Sequence, residues 1–255
     1  MKIGFVADIH EDIANLRTAF DALETLRCDH IVCLGDIVGF SFYYQRECRH
    51  RDADACVAMI RDHCTAAVAG NHDLYAIRRV PEYAADFPYT DDWYELESDM
   101  RTRLSGRRLW QYDDHDLPSN LSADAEEYLQ TLPEYQVLRL DGIQFIISHF
   151  VYPDLSGSLI ASLQVDGNLE EHFSFMEEKD CMLGFSGHGH PEGLTYSQNG
   201  ALRHNPFGSH LLQRSRQWVV CPAVAQSNRA HGVLTFDSST FTVEARPFKS
   251  TINSK

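Results

Sequence analysis

Five short apolar runs in this chain each end in residues with carboxylate, amide or imidazole side chains. The runs cover residues 2–7, 31–34, 66–69, 143–148 and 182–186. Apolar runs of this length predict buried strands. In α/β sheets, ligands bind beyond the carboxyl ends of the strands. Provided that the strands are roughly parallel, we expect the five polar clusters to meet at one edge.

The side chains at these strand ends are typical of a metal site. The candidate ligands are two aspartates, one asparagine and four histidines, namely Asp8, His10, Asp36, Asn71, His149, His188 and His190. Oxygen and imidazole donors without a thiolate suit divalent Mn, Fe, Zn, Ni or Co. Seven candidates are too many for one ion and fit two ions that share a carboxylate. We therefore predict two divalent metal ions, and the donor set leaves the choice among these metals open.

Spacing and glycines support the same prediction. In the Asp-x-His segment at Asp8 and the His-x-His segment at His188, alternate side chains point to the same side of an extended chain. Glycines beside the candidate ligands allow sharp turns and a close approach of an ion or a phosphate to the backbone. These glycines are Gly35, Gly70, Gly187 and Gly189.

The remaining pattern predicts helices first and strands later. Apolar residues at helical spacing between Ile13 and Leu26 predict an amphipathic helix that Asp12 caps. Further helices are predicted over 46–62, over 122–132 with Ser122 as the N-cap, and over 168–179. Strands are predicted over 194–197, 217–221, 231–236 and 240–246. This order favours a mixed α/β layered sandwich.

The motifs, taken in order, resemble the calcineurin-like metallophosphoesterase family. They are Asp8-x-His10, Gly35-Asp36, Gly70-Asn71-His72-Asp73, His149, and Gly187-His188-Gly189-His190. The stretches 35–40 and 128–133 also resemble the bacterial YfcE-like phosphodiesterase branch. The resemblance implies an α/β fold, a four-layer αββα sandwich, in one domain over 1–255. Residues 11–12 and 220–229 depart from the branch, so its substrate preference is not implied.

Carried over to this sequence, the resemblance implies two ligand sets. Asp8, His10, Asp36 and His190 would hold one ion, and Asp36, Asn71, His149 and His188 would hold the other. His72 would lie above the metals as a general acid or hydrogen-bond donor to the phosphate, so the implied catalytic residues are His72, Asn71 and Asp36. Arg229 is a further candidate for substrate binding, together with Asn71 and His72.

The implied function is hydrolysis of a phosphate ester, with a diester or monoester of a small nucleotide-like compound as substrate. Two nearby cations acidify a bridging water, and the resulting hydroxide attacks phosphorus while the ions stabilise the developing charge. Two alternatives stay open, namely a metallophosphoesterase-fold interaction scaffold without turnover and a dinuclear hydrolase of a non-phosphate bond. The sequence does not distinguish among monoester, diester, cyclic nucleotide and dinucleoside polyphosphate.

Composition limits the partners. The formal net charge of −15 argues against stable nucleic-acid binding, which needs Lys and Arg. The sequence contains no apolar window of the length that a membrane helix needs, and from its first residues we expect no signal peptide. The seven cysteines lack the C-x-x-C spacing. These observations predict a cytoplasmic protein with free thiols. The oligomeric state is open.

One segment is distinctive for its aromatic and acidic residues. Residues 82–116 contain ten acidic residues, four arginines and seven aromatic residues, and they follow the Asn71-His72 motif. Two interpretations are open: a solvated helical pair that covers the sandwich, or a lid insertion over about 80–118 whose aromatic side chains form a substrate wall.

Overall fold

The protein contains two large sheets, six helices and a two-stranded ribbon within the described residues. This computed structural model describes residues 1–42, 48, 50–110, 112–160, 168–225 and 230–248. The strands are β1 (Lys2–Val6), β2 (His30–Cys33), β3 (Phe40–Ser41), β4 (Ala66–Ala67), β5 (Asp116–Leu117), β6 (Tyr135–Leu140), β7 (Ile143–Ser148), β8 (Leu183–Ser186), β9 (Leu194–Gln198), β10 (Ala201–Asn205), β11 (Gly208–Leu211), β12 (Gln217–Val220), β13 (Gly232–Asp237) and β14 (Thr242–Pro247). The helices are α1 (Ile13–Thr25), α2 (Ala53–His63), α3 (Asn71–Ala76), α4 (Ser98–Ser105), α5 (Ala123–Thr131) and α6 (Asn168–Glu178).

Each large sheet has a parallel centre. The first sheet has the order β11-β14-β13-β1-β2-β4, in which β1, β2 and β4 are parallel. The second has the order β10-β9-β12-β8-β7-β6, in which β7, β8 and β12 are parallel. The short strands β3 and β5 form a separate antiparallel pair. Five of these six parallel strands, namely β1, β2, β4, β7 and β8, end in the polar motifs.

The two sheets pack face to face, and helices cover their outer faces. Phe5 of β1 stacks on Phe185 of β8 with ring centroids 4.4 Å apart, which joins the sheets through aromatic contact. Buried side chains of α1, α2 and α5 form one apolar cluster with the outer face of the first sheet. Met176 of α6 packs with Ile146 of β7 on the outer face of the second. The predicted four-layer αββα sandwich is confirmed.

The helix predicted over 46–62 is wrong in its first part. The helix begins at Ala53, because the carboxylate of Asp52 accepts the backbone N–H of Ala55 at 3.0 Å and caps it. Arg51 instead forms a β-bridge with Asp12 and an ion pair with Glu11. Residues 43–47 and 49 lie outside the described residues.

The helical pair considered for residues 82–116 is also wrong. This segment contains one eight-residue helix, α4, together with short 3-10 helices at Trp93–Glu95 and Tyr112–Asp114. The segment is held by an aromatic cluster in which Trp93 packs against Phe87 and Tyr89. Its end, β5, pairs with β3 and so returns to the edge of the sandwich that carries the motifs.

No helix among the residues that the structure describes is both long and apolar enough to span a bilayer. All seven cysteines lie within the described residues, and each carries a free thiol.

Candidate metal centre

The five motifs converge where the carboxyl ends of the parallel strands of both sheets meet. Asp8, Asp36 and Asn71 follow strands of the first sheet, and His149 and His188 follow strands of the second. The shared edge is therefore an edge of the sandwich rather than of one sheet. All seven residues predicted as ligands lie at this edge.

The first group contains Asp8, His10 and His190, whose potential ligand atoms lie within 4.8 Å of one another. Nε2 of His190 is 3.1 Å from Oδ1 of Asp8 and 3.3 Å from Nε2 of His10. The backbone N–H of His188 donates to Oδ1 of Asp8 at 3.0 Å and so fixes the position of this carboxylate. One carboxylate and two imidazoles thus face one small volume.

The second group contains Asp36, His149 and His188 within the same limit of 4.8 Å. Oδ1 of Asn71 adds a fourth donor, 3.2 Å from Nδ1 of His188. Oδ2 of Asp36 lies 3.1 Å from Nε2 of His149 and 3.9 Å from Nε2 of His10. One carboxylate oxygen therefore faces a histidine of each group.

His149 supplies a test of whether these residues fit a cation. Its Nδ1 lies 2.7 Å from the carbonyl oxygen of Leu34 and donates to it, so Nε2 of the neutral ring carries a lone pair. This Nε2 is fully buried and makes no hydrogen bond, although it faces the Asp36 carboxylate. Two electron-pair donors that face each other in a buried site fit a cation between them. The donor set therefore suits a divalent metal.

The pKa values follow from burial and the packed charges. Burial lowers the pKa of His10 to about 4, with a contribution from His72, and lowers that of His188 to about 3, with a contribution from His149. For Asp36, burial alone would raise the pKa of the carboxyl, but the neighbouring His149 and His72 hold it well below its usual value. For His149, burial lowers the pKa, but the carboxylates of Asp36 and Asp8 outweigh it and raise the pKa to about 10, so a cation at this site would replace the proton on Nε2.

The backbone at the site is held in an uncommon conformation. Five of the seven candidate ligands have backbone φ values in the left-handed region. They are Asp8 (φ 53°), His10 (47°), Asp36 (53°), His188 (64°) and His190 (43°). Such residues cost about 1–3 kcal/mol each and cluster at functional sites. Glycine makes the turns feasible: a Cβ on Gly70 would come within 2.2 Å of Oδ1 of Asp36.

His72 is anchored at the side of the second group. Its backbone N–H donates to Oδ1 of Asp36 at 2.9 Å, and its Nδ1 lies 2.6 Å from Oδ2 of Asp116. Burial disfavours the charged ring, but the carboxylates of Asp36 and Asp116 outweigh it and raise the pKa of His72 to about 9. A charged ring in contact with the metal groups can donate a proton or a hydrogen bond. His72 also forms a third compact group with His10 and Asp36.

Neighbouring residues hold the ligands in place. The carboxylate of Asp73 accepts backbone N–H groups of Ile37, Val38 and Gly70, so Asp73 organises the ligand loops. Nδ2 of Asn71 donates to the hydroxyl of Tyr112 at 2.9 Å, which directs Oδ1 of Asn71 toward Nδ1 of His188 in the second group. Arg229, predicted to bind substrate, lies outside the described residues.

The sequence analysis missed Asp116, Tyr112 and the buried Glu11. Glu11 accepts hydrogen bonds from Gly39 N–H at 3.1 Å and from Ser119, and Arg51 pairs with its other oxygen. None of these contacts is reflected in local spacing, since they span 28–108 residues of chain. For Asp116 and Tyr112 the one available signal was the unusual composition of the segment that contains them.

The family model of the calcineurin-like phosphoesterase superfamily domain matches residues 1–221. The fold and the paired Asp/His groups are those of a metallohydrolase sandwich, and the chain belongs to this superfamily. The family predicted from the motifs is confirmed. The superfamily is one of phosphoesterase hydrolases and typically uses divalent metals, which agrees with the donor set described above.

Individual relatives are more distant. Uncharacterized protein MJ0912 of Methanocaldococcus jannaschii is 32% identical over 71 residues, which are 28% of this chain and 26% of that protein. The match thus spans about a quarter of the curated relative's length. A metallophosphoesterase from Sphaerobacter thermophilus is 21% identical, with 99% of this chain and 89% of that chain covered and a TM-score of 0.66. The phosphoesterase Yfce from E. coli is 11% identical, with 93% and 89% covered and a TM-score of 0.43.

Proposed function

We propose that this protein hydrolyses a phosphate ester at a centre of two divalent metal ions, with manganese as the first choice. One ion would be held by Asp8, His10, Asp36 and His190, and the other by Asp36, Asn71, His149 and His188. When bound, such a pair of ions acidifies a water molecule and binds the phosphate oxygens. The substrate class is a small nucleotide-like phosphodiester or phosphomonoester.

The observation that carries this proposal is the position of Asp36. Its Oδ2 faces His149 of one group and His10 of the other, at 3.1 and 3.9 Å. A carboxylate that faces both groups of candidate ligands supports a shared ligand, and hence two ions rather than one. The burial of Asp36 and of His149 keeps water from competing for these positions.

The other site residues have roles in substrate binding and proton transfer. Asp116 holds Nδ1 of His72, so we assign Nε2 of His72 as the atom that donates to the leaving oxygen of the ester. Asn71, fixed by Tyr112, would present its amide oxygen to the second ion. A phosphate contact of Arg229 remains a prediction.

We further propose that the chain forms a single domain with residues 80–118 as an insertion at the site, and that it acts in the cytoplasm. The seven free thiols support a reducing compartment. The net charge of −15 supports a small substrate over a nucleic acid, because the positive charge that attracts phosphate would come from the ions.

The test is metal analysis joined to an activity screen of the full chain. The protein is loaded with Mn²⁺ and assayed on p-nitrophenyl phosphate, bis(p-nitrophenyl) phosphate, cyclic nucleotides and dinucleoside polyphosphates. We expect turnover of at least one of these esters and about two Mn²⁺ per chain. Bound metal without turnover of any ester would instead favour the scaffold alternative.

The matched variants are Asp36→Asn and Asp99→Asn. Asp36→Asn removes the shared negative charge, so we expect loss of both metals and of turnover. Asp99 is an exposed residue of α4, and its substitution should change neither. Normal metal content and normal activity in Asp36→Asn would refute the shared-ligand assignment.

A further inference from the structure

A cavity of about 360 Å³ lies beside the metal centre, between α3 and the segment that ends at Ser119. Its wall includes the aromatic rings of Tyr75 and Tyr94 and the apolar side chain of Leu117. Tyr75 follows Asn71 by one helical turn of α3, so one short helix contributes both a candidate metal ligand and a cavity wall. The volume is at the lower end of the range for small-molecule pockets.

The cavity borders the proposed reaction site. Asp116 lines it and accepts the hydrogen bond from Nδ1 of His72 at 2.6 Å. Gly39 also lines it, and its carbonyl oxygen lies 2.8 Å from Nδ1 of His10. A phosphate at the metal groups would therefore have this cavity within reach of its organic substituent.

Most polar groups of the cavity are already satisfied. Asp113 accepts hydrogen bonds from Tyr75 at 2.9 Å and from Arg101 at 2.6 Å, and Arg101 also donates to the carbonyl oxygen of Leu96. Asp116 is bonded to His72. These contacts fix the wall of the cavity and balance its charges. They leave few of its donors and acceptors available for hydrogen bonds to a ligand.

Arg78 is the exception. It lines the cavity, it is exposed, and its guanidinium contacts no acceptor among the described residues. It follows α3 directly, and the next residue, Arg79, is by contrast bonded to the carbonyl oxygens of Gln130 and Leu132. A planar guanidinium with five free donors matches a phosphate or carboxylate group.

We propose that this cavity receives a planar organic group of the phosphate ester and that Arg78 binds a second anionic group on the same molecule. The preferred ligand is thus nucleoside-sized and carries two anionic groups, one at the metals and one at Arg78. This inference rests on the proposed function for the position of the first phosphate. One face of the Tyr75 ring stacks on Tyr112 with centroids 4.5 Å apart, so the planar group would pack on the other face of Tyr75. Stacking of this kind is tolerant of base identity.

Equilibrium binding tests the proposal without reliance on turnover. Calorimetry on the Mn²⁺-loaded full chain with His72→Ala, which slows hydrolysis of these monoesters, compares adenosine 3′,5′-bisphosphate, adenosine 5′-monophosphate and ribose 5-phosphate. We expect the bisphosphate to bind at least ten-fold more tightly than the monophosphate, and the monophosphate at least five-fold more tightly than ribose 5-phosphate. The variant Arg78→Ala should bring the first ratio close to one and leave the second unchanged.

The control is Arg103→Ala, since Arg103 is an exposed arginine of α4 that does not line the cavity. It should retain both ratios. An unchanged first ratio when Arg78→Ala is added, or equal binding of the two adenosine nucleotides by the His72→Ala chain that retains Arg78, would overturn the role of Arg78. Equal binding of adenosine 5′-monophosphate and ribose 5-phosphate would overturn the planar-group assignment.

The two proposals fail in different ways. If both ratios are as expected while the screen of esters shows no turnover, the hydrolytic function is wrong and the ligand cavity stands. If esters are hydrolysed while Arg78→Ala leaves the ratios unchanged, the hydrolytic function stands and the cavity proposal is wrong.

Discussion

Oδ2 of Asp116 lies 2.6 Å from Nδ1 of His72, a contact between residues 44 positions apart in the chain. This contact joins Asp116, the last residue of the segment 82–116, to the motif that follows β4 and contains His72. Because Nδ1 is committed to the carboxylate, Nε2 is the ring nitrogen left for the substrate. The same contact gives the segment 80–118 a direct connection to the proposed proton donor.

His72→Ala should therefore retain both metals and lose rate. We expect kcat to fall by about 10²–10⁴-fold, the usual contribution of a positioned acid. Asp116→Asn should cost less, because the amide oxygen can still accept from Nδ1. Metal content and steady-state kinetics of both variants measure this. Loss of metal in His72→Ala would mean that His72 is a ligand, as its proximity to His10 and Asp36 also allows.

Gly157→Ala should weaken metal binding through His188. Gly157 has φ +79°, and a Cβ there would lie 2.6 Å from Nδ1 of His188. The ring must move, so we expect at least a ten-fold loss of Mn²⁺ affinity in a titration. Gly200→Ala is the matched control, because its φ is +76° and nothing lies within 4 Å of the added Cβ. Equal affinity in the two variants would show that the contact with His188 is not important.

Arg51→Ala should destabilise the fold. Arg51 is the cation paired with Glu11, whose side chain is 1% exposed, and it also donates to the carbonyl oxygens of Leu117 and Pro118. Removal leaves a buried carboxylate without its cation but with its hydrogen bonds from Gly39 and Ser119, which we expect to cost about 2 kcal/mol in urea unfolding. Arg61→Ala, which removes an exposed pair with Asp62, should cost less than about 0.5 kcal/mol. Similar losses in the two variants would contradict this account of Glu11.

His172 should make stability depend on pH. Burial lowers the pKa of His172 from 6.5 to about 3, and its Nδ1 accepts the backbone N–H of Tyr152 at 3.0 Å. The unfolded chain binds a proton below pH 6.5 that the folded chain does not, so the stabilisation is complete above pH 6.5 and falls as the pH drops toward about 3. At pH 5 the loss from this group is about 2 kcal/mol.

His172→Asn keeps an acceptor for Tyr152 and cannot titrate. Between pH 7.5 and 5 its unfolding free energy should fall by about 2 kcal/mol less than that of the unmodified protein. His63→Asn, at an exposed position, should behave like the unmodified protein. The same pH dependence of stability in His172→Asn and in the unmodified protein would show that His172 is not its origin.

The central strands and the seven clustered residues were predictable because each is a local pattern, an apolar run that ends in a polar motif. Strands β6, β10 and β11 were not predicted. Each lies at one end of a large sheet and contains exposed residues. They therefore lack an apolar run. Edge strands of this kind are difficult to separate from loops by composition.

The contacts that surround the site could not be predicted from the sequence, for a different reason. Asp116, Glu11 and Arg51 act through partners that are distant in the chain, and their spacing has no periodic form. Glu11 was visible as a departure from the branch pattern at residues 11–12, yet its hydrogen bonds to Gly39 and Ser119 required the fold. Patterns report strand ends, whereas the support of a site depends on tertiary packing.

The most direct measurement of the central claim is anomalous diffraction from crystals of the Mn²⁺-loaded protein. We predict two manganese peaks on either side of the Asp36 carboxylate, one beside His10 and His190 and the other beside His149 and His188. A map without manganese among these side chains, or with a single ion that Asp36 does not contact, would contradict it.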